Sequence, residues 1–187
     1  NDAPILSGAN DFTTITEDQL ANPGDLVSNL TSTHVSEYDL GALGGIAVTG
    51  LSSGTGTWQY SIDAGLNWTP VGTVTPGSAL LLRSTDRLRL VPDGQNGTSA
   101  SLSFRAWDQT SGVNGSLVDT TVNGGTTAFS TAIATANLTV TSVNDAPTLN
   151  TATVFSPIDE DPIVNNGELV SVFANIADDV DNAALKG

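Results

Sequence analysis

The chain has 187 residues, no cysteine, no methionine and a single histidine, and its formal net charge at pH 7 is −15. Without thiols it can build neither a disulfide framework nor a thiolate metal site, and so large an acidic excess excludes the clustered Lys and Arg that nucleic acid or anionic membrane surfaces require. Gly, Ser, Thr, Asn and Val abound and Lys186 is the only lysine, a composition of short strands joined by tight turns that places the chain in the all-β class; no apolar run is long enough for membrane insertion.

Strand-like runs follow in chain order near residues 12–15, 26–30, 45–49, 57–62, 66–72, 79–83, 87–91, 101–107 and 127–141. Leu88 and Leu90, and Leu102, Phe104 and Ala106, alternate with polar neighbours, the period of a strand with one buried face. Ala64-Gly65, Asp93-Gly94, Asn96-Gly97, Asn114-Gly115 and Asn123-Gly124 punctuate the runs as turns. The segment 17–30 leaves room for a helical turn. Nine short strands predict a β-sandwich with Greek-key connections.

The four residues NDAP occur at 1–4 and again at 144–147, an offset of 143 residues, and the offset persists. Ile15-Thr16-Glu17-Asp18 lies over Ile158-Asp159-Glu160-Asp161, and GDLVS at 24–28 over GELVS at 167–171. After a one-residue deletion, Glu37-Tyr38-Asp39 lies over Asp179-Val180-Asp181, and 42–45, beginning at Ala42, over 184–187. Residues 1–143 are therefore expected to form a complete repeat. Residues 144–187 are the start of a second, supplying two or three strands and unable to close a sandwich alone.

Charge follows the same division: residues 1–44 carry −7, residues 45–143 carry −1 and residues 144–187 carry −7. Carboxylates gathered at repeat boundaries repel one another unless a cation joins them. An oxygen-rich donor set with one histidine and no thiol suits Ca2+ and offers little to zinc or copper. The plainer alternative is a solvated acidic face that keeps a β protein soluble.

The pattern VNDAP at a repeat boundary, an acidic ED pair about 13 to 15 residues later and then D-x-D resembles the cadherin-like tandem repeats of large bacterial surface proteins and adhesins. Leu88–Pro92, Asn96-Gly97-Thr98 and the run from Leu102 to Asp108 resemble the middle of the same repeat, so the likeness spans the chain. It implies an Ig/cadherin-like Greek-key β-sandwich in tandem repeat, with Ca2+ between successive domains. Carried over by motif, the junction ligands are Glu17, Asp18, Asn144, Asp145, Asp179 and Asp181, and a preceding junction would use Asp2, Glu37, Asp39 and Asp108. Two features depart from the pattern: the first copy has Glu37-x-Asp39 in place of Asp-x-Asp, and the repeat is longer than a usual cadherin domain.

Ser61-Ile62-Asp63-Ala64-Gly65-Leu66-Asn67-Trp68 is similar to the Asp-box, with Asn in place of the usual Thr, and is expected to be a structural hairpin. Trp58 and Trp68, with Tyr60, are candidates for a glycan-stacking platform, with core packing as the default for so few aromatics. His34 has no counterpart in the second copy, so neither a Ser-His-Asp triad nor a histidine zinc site is expected, and the chain is read as a non-enzyme. Asp161-Pro162 is a potentially labile bond better explained as a turn, and an isopeptide crosslink, for which Lys186 in a loop is the one candidate, is not expected. The expected role is a calcium-binding structural repeat of a secreted or bacterial cell-surface adhesin. Its partners would be neighbouring repeats of the same or an adjacent chain. The alternatives are a module for cell-surface glycans and a filament subunit completed by strand exchange.

Overall fold

Alternating apolar residues turn one face of each long strand toward a shared core, and this core is what orders the chain. The computed structural model describes all residues except 38, 40, 42, 150–153, 162, 163, 175, 176, 183 and 185–187. Tyr38, Ala42, Pro162 and Lys186, named above, lie outside the described residues.

The elements in order are β1 (Ile5–Leu6), β2 (Ile15–Thr16), β3 (Asp25–Leu26), α1 (Val27–Thr31), β4 (Val35–Ser36), β5 (Gly45–Ser52), β6 (Thr57–Ser61) and β7 (Thr69–Pro70). They continue with β8 (Ala79–Arg83), β9 (Arg87–Val91), β10 (Thr98–Trp107), β11 (Leu117–Val118), β12 (Ala134–Thr141), β13 (Thr148–Leu149), α2 (Ser171–Ala174) and β14 (Ala177–Asp178). A six-stranded sheet in the order β11-β8-β5-β10-β12-β2 faces a four-stranded sheet in the order β3-β9-β6-β7. Between them Ile46, Val48, Leu102 and Phe104 of the first sheet meet Trp58, Leu88 and Leu90 of the second in one continuous core. The chain is an all-β sandwich. Truncating a ring as deeply buried as Phe104 to Ala costs about 3–5 kcal/mol in such a setting.

Strands β8 and β9 fall where the sequence places them, and β12 alternates buried and exposed along its whole length. The run at 26–30 differs. Only Asp25–Leu26 pairs as a strand, with Leu88 and Arg87 of β9, and the helix α1 follows at once. The reason is a spacing of three: Val27 and Leu30 are both fully buried, and a helical turn points both inward where a strand would point them apart. The runs at 12–15 and 66–72 shrink to paired pieces at Ile15–Thr16 and Thr69–Pro70, and the run at 127–141 pairs as a strand only from Ala134. The short strands β1, β4 and β11 carry too few residues to show a period.

The internal repeat is structural as well as textual. β1 pairs with β4 through Ile5–Ser36 and Leu6–Val35, and β13 pairs with β14 through the corresponding Thr148–Asp178 and Leu149–Ala177. Thr13 N–H donates to Asp25 Oδ2 at 2.9 Å, as Ser156 N–H donates to Glu168 Oε1 at 3.2 Å. Gly24 N–H reaches Asn22 Oδ1 at 3.2 Å, and Gly167 N–H reaches Asn165 Oδ1 at 2.9 Å. Both glycines adopt a left-handed conformation, φ 62° and 69°, which a side chain would strain. The second copy thus holds the local shape of the first, including the one-residue deletion between its two halves.

Candidate metal centre

The site is built where the first repeat ends, and one parallel pairing builds it. β2 runs parallel to the last residues of β12, with Ile15 opposite Val140 and Thr16 opposite Thr141. The pairing brings residue 17 back to the exit of its own repeat. Glu17 N–H donates to Thr141 C=O at 3.1 Å, and Glu17 Oε1 accepts from Val143 N–H at 2.6 Å. The side chain is fully buried, and its second oxygen, Oε2, has no hydrogen-bond partner.

Beyond Val143 the chain turns into the second copy. Asp145 N–H donates to Asp181 Oδ2 at 2.9 Å, and Asp181 N–H to Asp179 Oδ1 at 3.0 Å, so the D-x-D loop folds onto the linker. Asp145 Oδ2 is, like Glu17 Oε2, buried without a partner. Glu17, Asp145 and Asp181 each present a carboxylate oxygen, and these oxygens lie within 4.8 Å of one another. Burial, and then the charges of Asp181, Asp18 and Asp179, hold the Asp145 carboxyl above its ordinary value. The protein has gathered negative charge here and left two of its oxygens unsatisfied. A hard cation fits such a donor set: three carboxylates from two repeats, no nitrogen, no sulfur.

The sequence candidates divide accordingly. Glu17, Asp145 and Asp181 come together. Asp18 is exposed and Asp179 half-buried, and both act on Asp145 through their charge. Asn144 turns its amide to the Asp145 carbonyl at 2.8 Å. At the other end of the first repeat, Asp2 N–H donates to Asp39 Oδ2 at 2.8 Å and Asp39 N–H to Glu37 Oε1 at 3.4 Å, the same arrangement as Asp145, Asp181 and Asp179. Asp108 is buried there, accepting from the Asn1 amide at 3.0 Å and from Thr110. Among the described residues Asp2, Glu37, Asp39 and Asp108 do not form a group of three converging carboxylates.

One residue of the junction is invisible to sequence reasoning. Asn96, which reads as half of an Asn-Gly turn, clasps the D-x-D loop with both ends of its amide. Its Nδ2 donates to Val180 C=O at 2.9 Å, and its Oδ1 accepts from Asn182 N–H at 2.7 Å. Gly97 lets this loop lie close to the linker, because a Cβ there would stand 2.7 Å from Ser142 N. Both bonds go to backbone, so no covarying side chain in the second copy advertises them.

The aromatic candidates separate too. Trp58 is a core residue, its ring 4.9 Å from that of Phe12 and its indole N–H donating to Ser52 C=O at 3.0 Å. It offers no face to a sugar, and this corrects its place among the glycan candidates. Trp68 is half-buried beneath Arg89, whose guanidinium lies 4.0 Å over its ring and is held by Gln59. The Asp-box hairpin is a turn keyed by Asp63, which accepts from Ser61 Oγ, Asn67 N–H and the Asn67 amide. These bonds lower its carboxyl to about 2, the Asn67 N–H contributing most. His34 sits in a loop against Asn10 at 3.1 Å.

No protein-family model, no curated protein and no solved structure matches this chain. No helix among the described residues is long and apolar enough to cross a membrane.

Proposed function

We propose that the chain is a calcium-binding structural repeat of a large secreted or cell-surface adhesin, in which the cation at the junction between residues 1–143 and 144–187 fixes the angle between neighbours and stiffens the array. One observation carries this reading: Glu17 is fully buried with its Oε2 lacking a hydrogen-bond partner, and a carboxylate oxygen of Glu17 lies within 4.8 Å of carboxylate oxygens of Asp145 and Asp181 from beyond the linker. A buried, unpaired carboxylate oxygen is costly unless something positive completes it. The three ligands come from both sides of a linker, so a bound ion would cross-link the repeats rather than decorate one of them. Ca2+ is favoured over Mg2+ because it accepts six to eight oxygens in loose geometry, and carboxylates drawn from a strand end, a linker and a loop supply such a set more readily than a rigid octahedron.

The test is a titration of the 187-residue chain with Ca2+ and Mg2+ by calorimetry, together with small-angle scattering in each ion and in chelator. Saturable Ca2+ binding that narrows the distribution of inter-repeat distances supports the proposal. Absence of binding at millimolar Ca2+ would sink it.

A further inference from the structure

Every strand pairing among the described residues is antiparallel except one, β2 against β12. An antiparallel neighbour can be reached through a tight turn, whereas this parallel pair joins residues 126 apart and ties the start of the first repeat to its end.

The seam is longer than its paired strand residues. It begins at Asp11, whose Oδ1 accepts from Asn137 N–H at 2.8 Å and from the Asn137 amide at 3.0 Å. Phe12 N–H then donates to Asn137 C=O at 2.8 Å, Thr141 Oγ1 to Ile15 C=O at 3.3 Å and Glu17 N–H to Thr141 C=O at 3.1 Å. It ends where Val143 N–H donates to Glu17 Oε1 at 2.6 Å. A carboxylate therefore closes each end, taking an N–H that would lose its strand partner where β2 stops, and a charged acceptor makes the stronger kind of hydrogen bond.

Strand direction sets how the seam meets tension. The chain enters at the Asp11–Asn137 end and leaves past Val143 at the Glu17 end. Tension between these flanks pulls β2 one way and β12 the other along a shared axis, so the six hydrogen bonds named above carry the load together. In an antiparallel pair both flanks would emerge at one end and the bonds would open singly. Upstream, Ser7 N–H donates to His34 C=O and Asn10 N–H to Leu30 C=O. These bonds attach the entering chain to residues other than β12 and can yield without opening the seam.

We propose that the seam between residues 11–17 and 137–143 is a mechanical clamp, which bears tension applied along the chain and sets the force at which the first repeat unfolds. The clamp consists of protein bonds alone and goes beyond the calcium reading; only the source of its load, the array, rests on that reading.

The chain has no cysteine, so an introduced pair gives unique attachment points for single-molecule pulling. Ser7, Ala132 and Asn144 are exposed. The 187-residue chain carrying S7C/N144C is stretched across the clamp, and the same chain carrying S7C/A132C is stretched from two flanks at one end of it. All pulls are made in chelator at matched loading rates, so the outcome is independent of whether Ca2+ binds. The S7C/N144C chain is expected to rupture at about two- to fourfold higher force, because bonds loaded together divide the force and forced unfolding follows the unfolding barrier. D11A removes two of the six bonds and should lower that ratio by about a third, while D11N, which keeps an acceptor for Asn137 N–H, should preserve most of it. Equal rupture forces in the two geometries overturn the proposal. A D11A loss of the same proportion in both geometries would make Asp11 a general stabiliser and overturn it equally.

Discussion

Replacing Glu17 by Gln changes one charge and almost no volume, and its effect should reverse sign with the cation. In chelator the wild-type side chain is fully buried with Oε2 unpartnered, a state that costs about 1–3 kcal/mol and more for a charged group. Gln keeps an acceptor for Val143 N–H and presents its NH2 where Glu presents the unpartnered Oε2, in a side chain grouped with Asp145 and Asp181. E17Q should therefore melt higher than wild type without Ca2+, by about 2–12 °C if 1 kcal/mol moves Tm by about 2–4 °C in a chain of this size. With Ca2+ at about a hundred times its dissociation constant, wild type gains about 2.7 kcal/mol, or about 5–11 °C, and E17Q should lose most of that gain because one of three converging carboxylates is gone. Calorimetric melts of both proteins in chelator and in Ca2+ read the crossover directly. An E17Q protein that melts lower than wild type by the same amount in both conditions would refute the reasoning and return Glu17 to an ordinary structural role.

Asn96→Ala removes two hydrogen bonds to the D-x-D loop, about 1–3 kcal/mol together, without touching a ligand. It should weaken Ca2+ binding about 5- to 150-fold and broaden the inter-repeat distances seen by scattering in chelator, while the melting of the first repeat stays within about 2 °C of wild type. Asp63 has its folded-state pKa lowered to about 2 from an ordinary 3.8, so the stability it contributes is present above pH 3.8 and is lost as pH falls toward 2. D63N should flatten the acid limb of the stability curve in that window, read by urea melts at a series of pH values. A curve for D63N that parallels wild type through this range would show that the Asp-box bonds are not what holds the hairpin.

How much of this was legible in the residues differs from element to element. Alternation over five or more positions, as in Arg87–Val91 or Ala134–Thr141, is enough to mark a strand and its buried face. Two-residue strands such as β1, β4 and β11 are held by partners rather than by pattern, and the turn at Val27–Thr31 becomes a helix because a neighbouring sheet buries residues three apart. Trp58 and Trp68 are the same residue type ten positions apart; only packing makes one a core anchor against Phe12 and the other a half-exposed ring under Arg89.

The sequence by itself determined the class, the repeat and its one-residue deletion, and the gathering of charge at the repeat boundaries, because composition, period and self-similarity are properties of order along the chain. Only the tertiary structure decided which acids converge. Glu17 reaches Asp145 and Asp181 because β2 pairs in parallel with the end of β12 and so returns to the exit of its own repeat, and Asn96 holds the incoming loop through backbone atoms that no side-chain motif encodes. Ten acidic or amide residues could be named as ligands from motif alone; three carboxylates meet because distance in space is set by strand pairing and not by spacing in sequence.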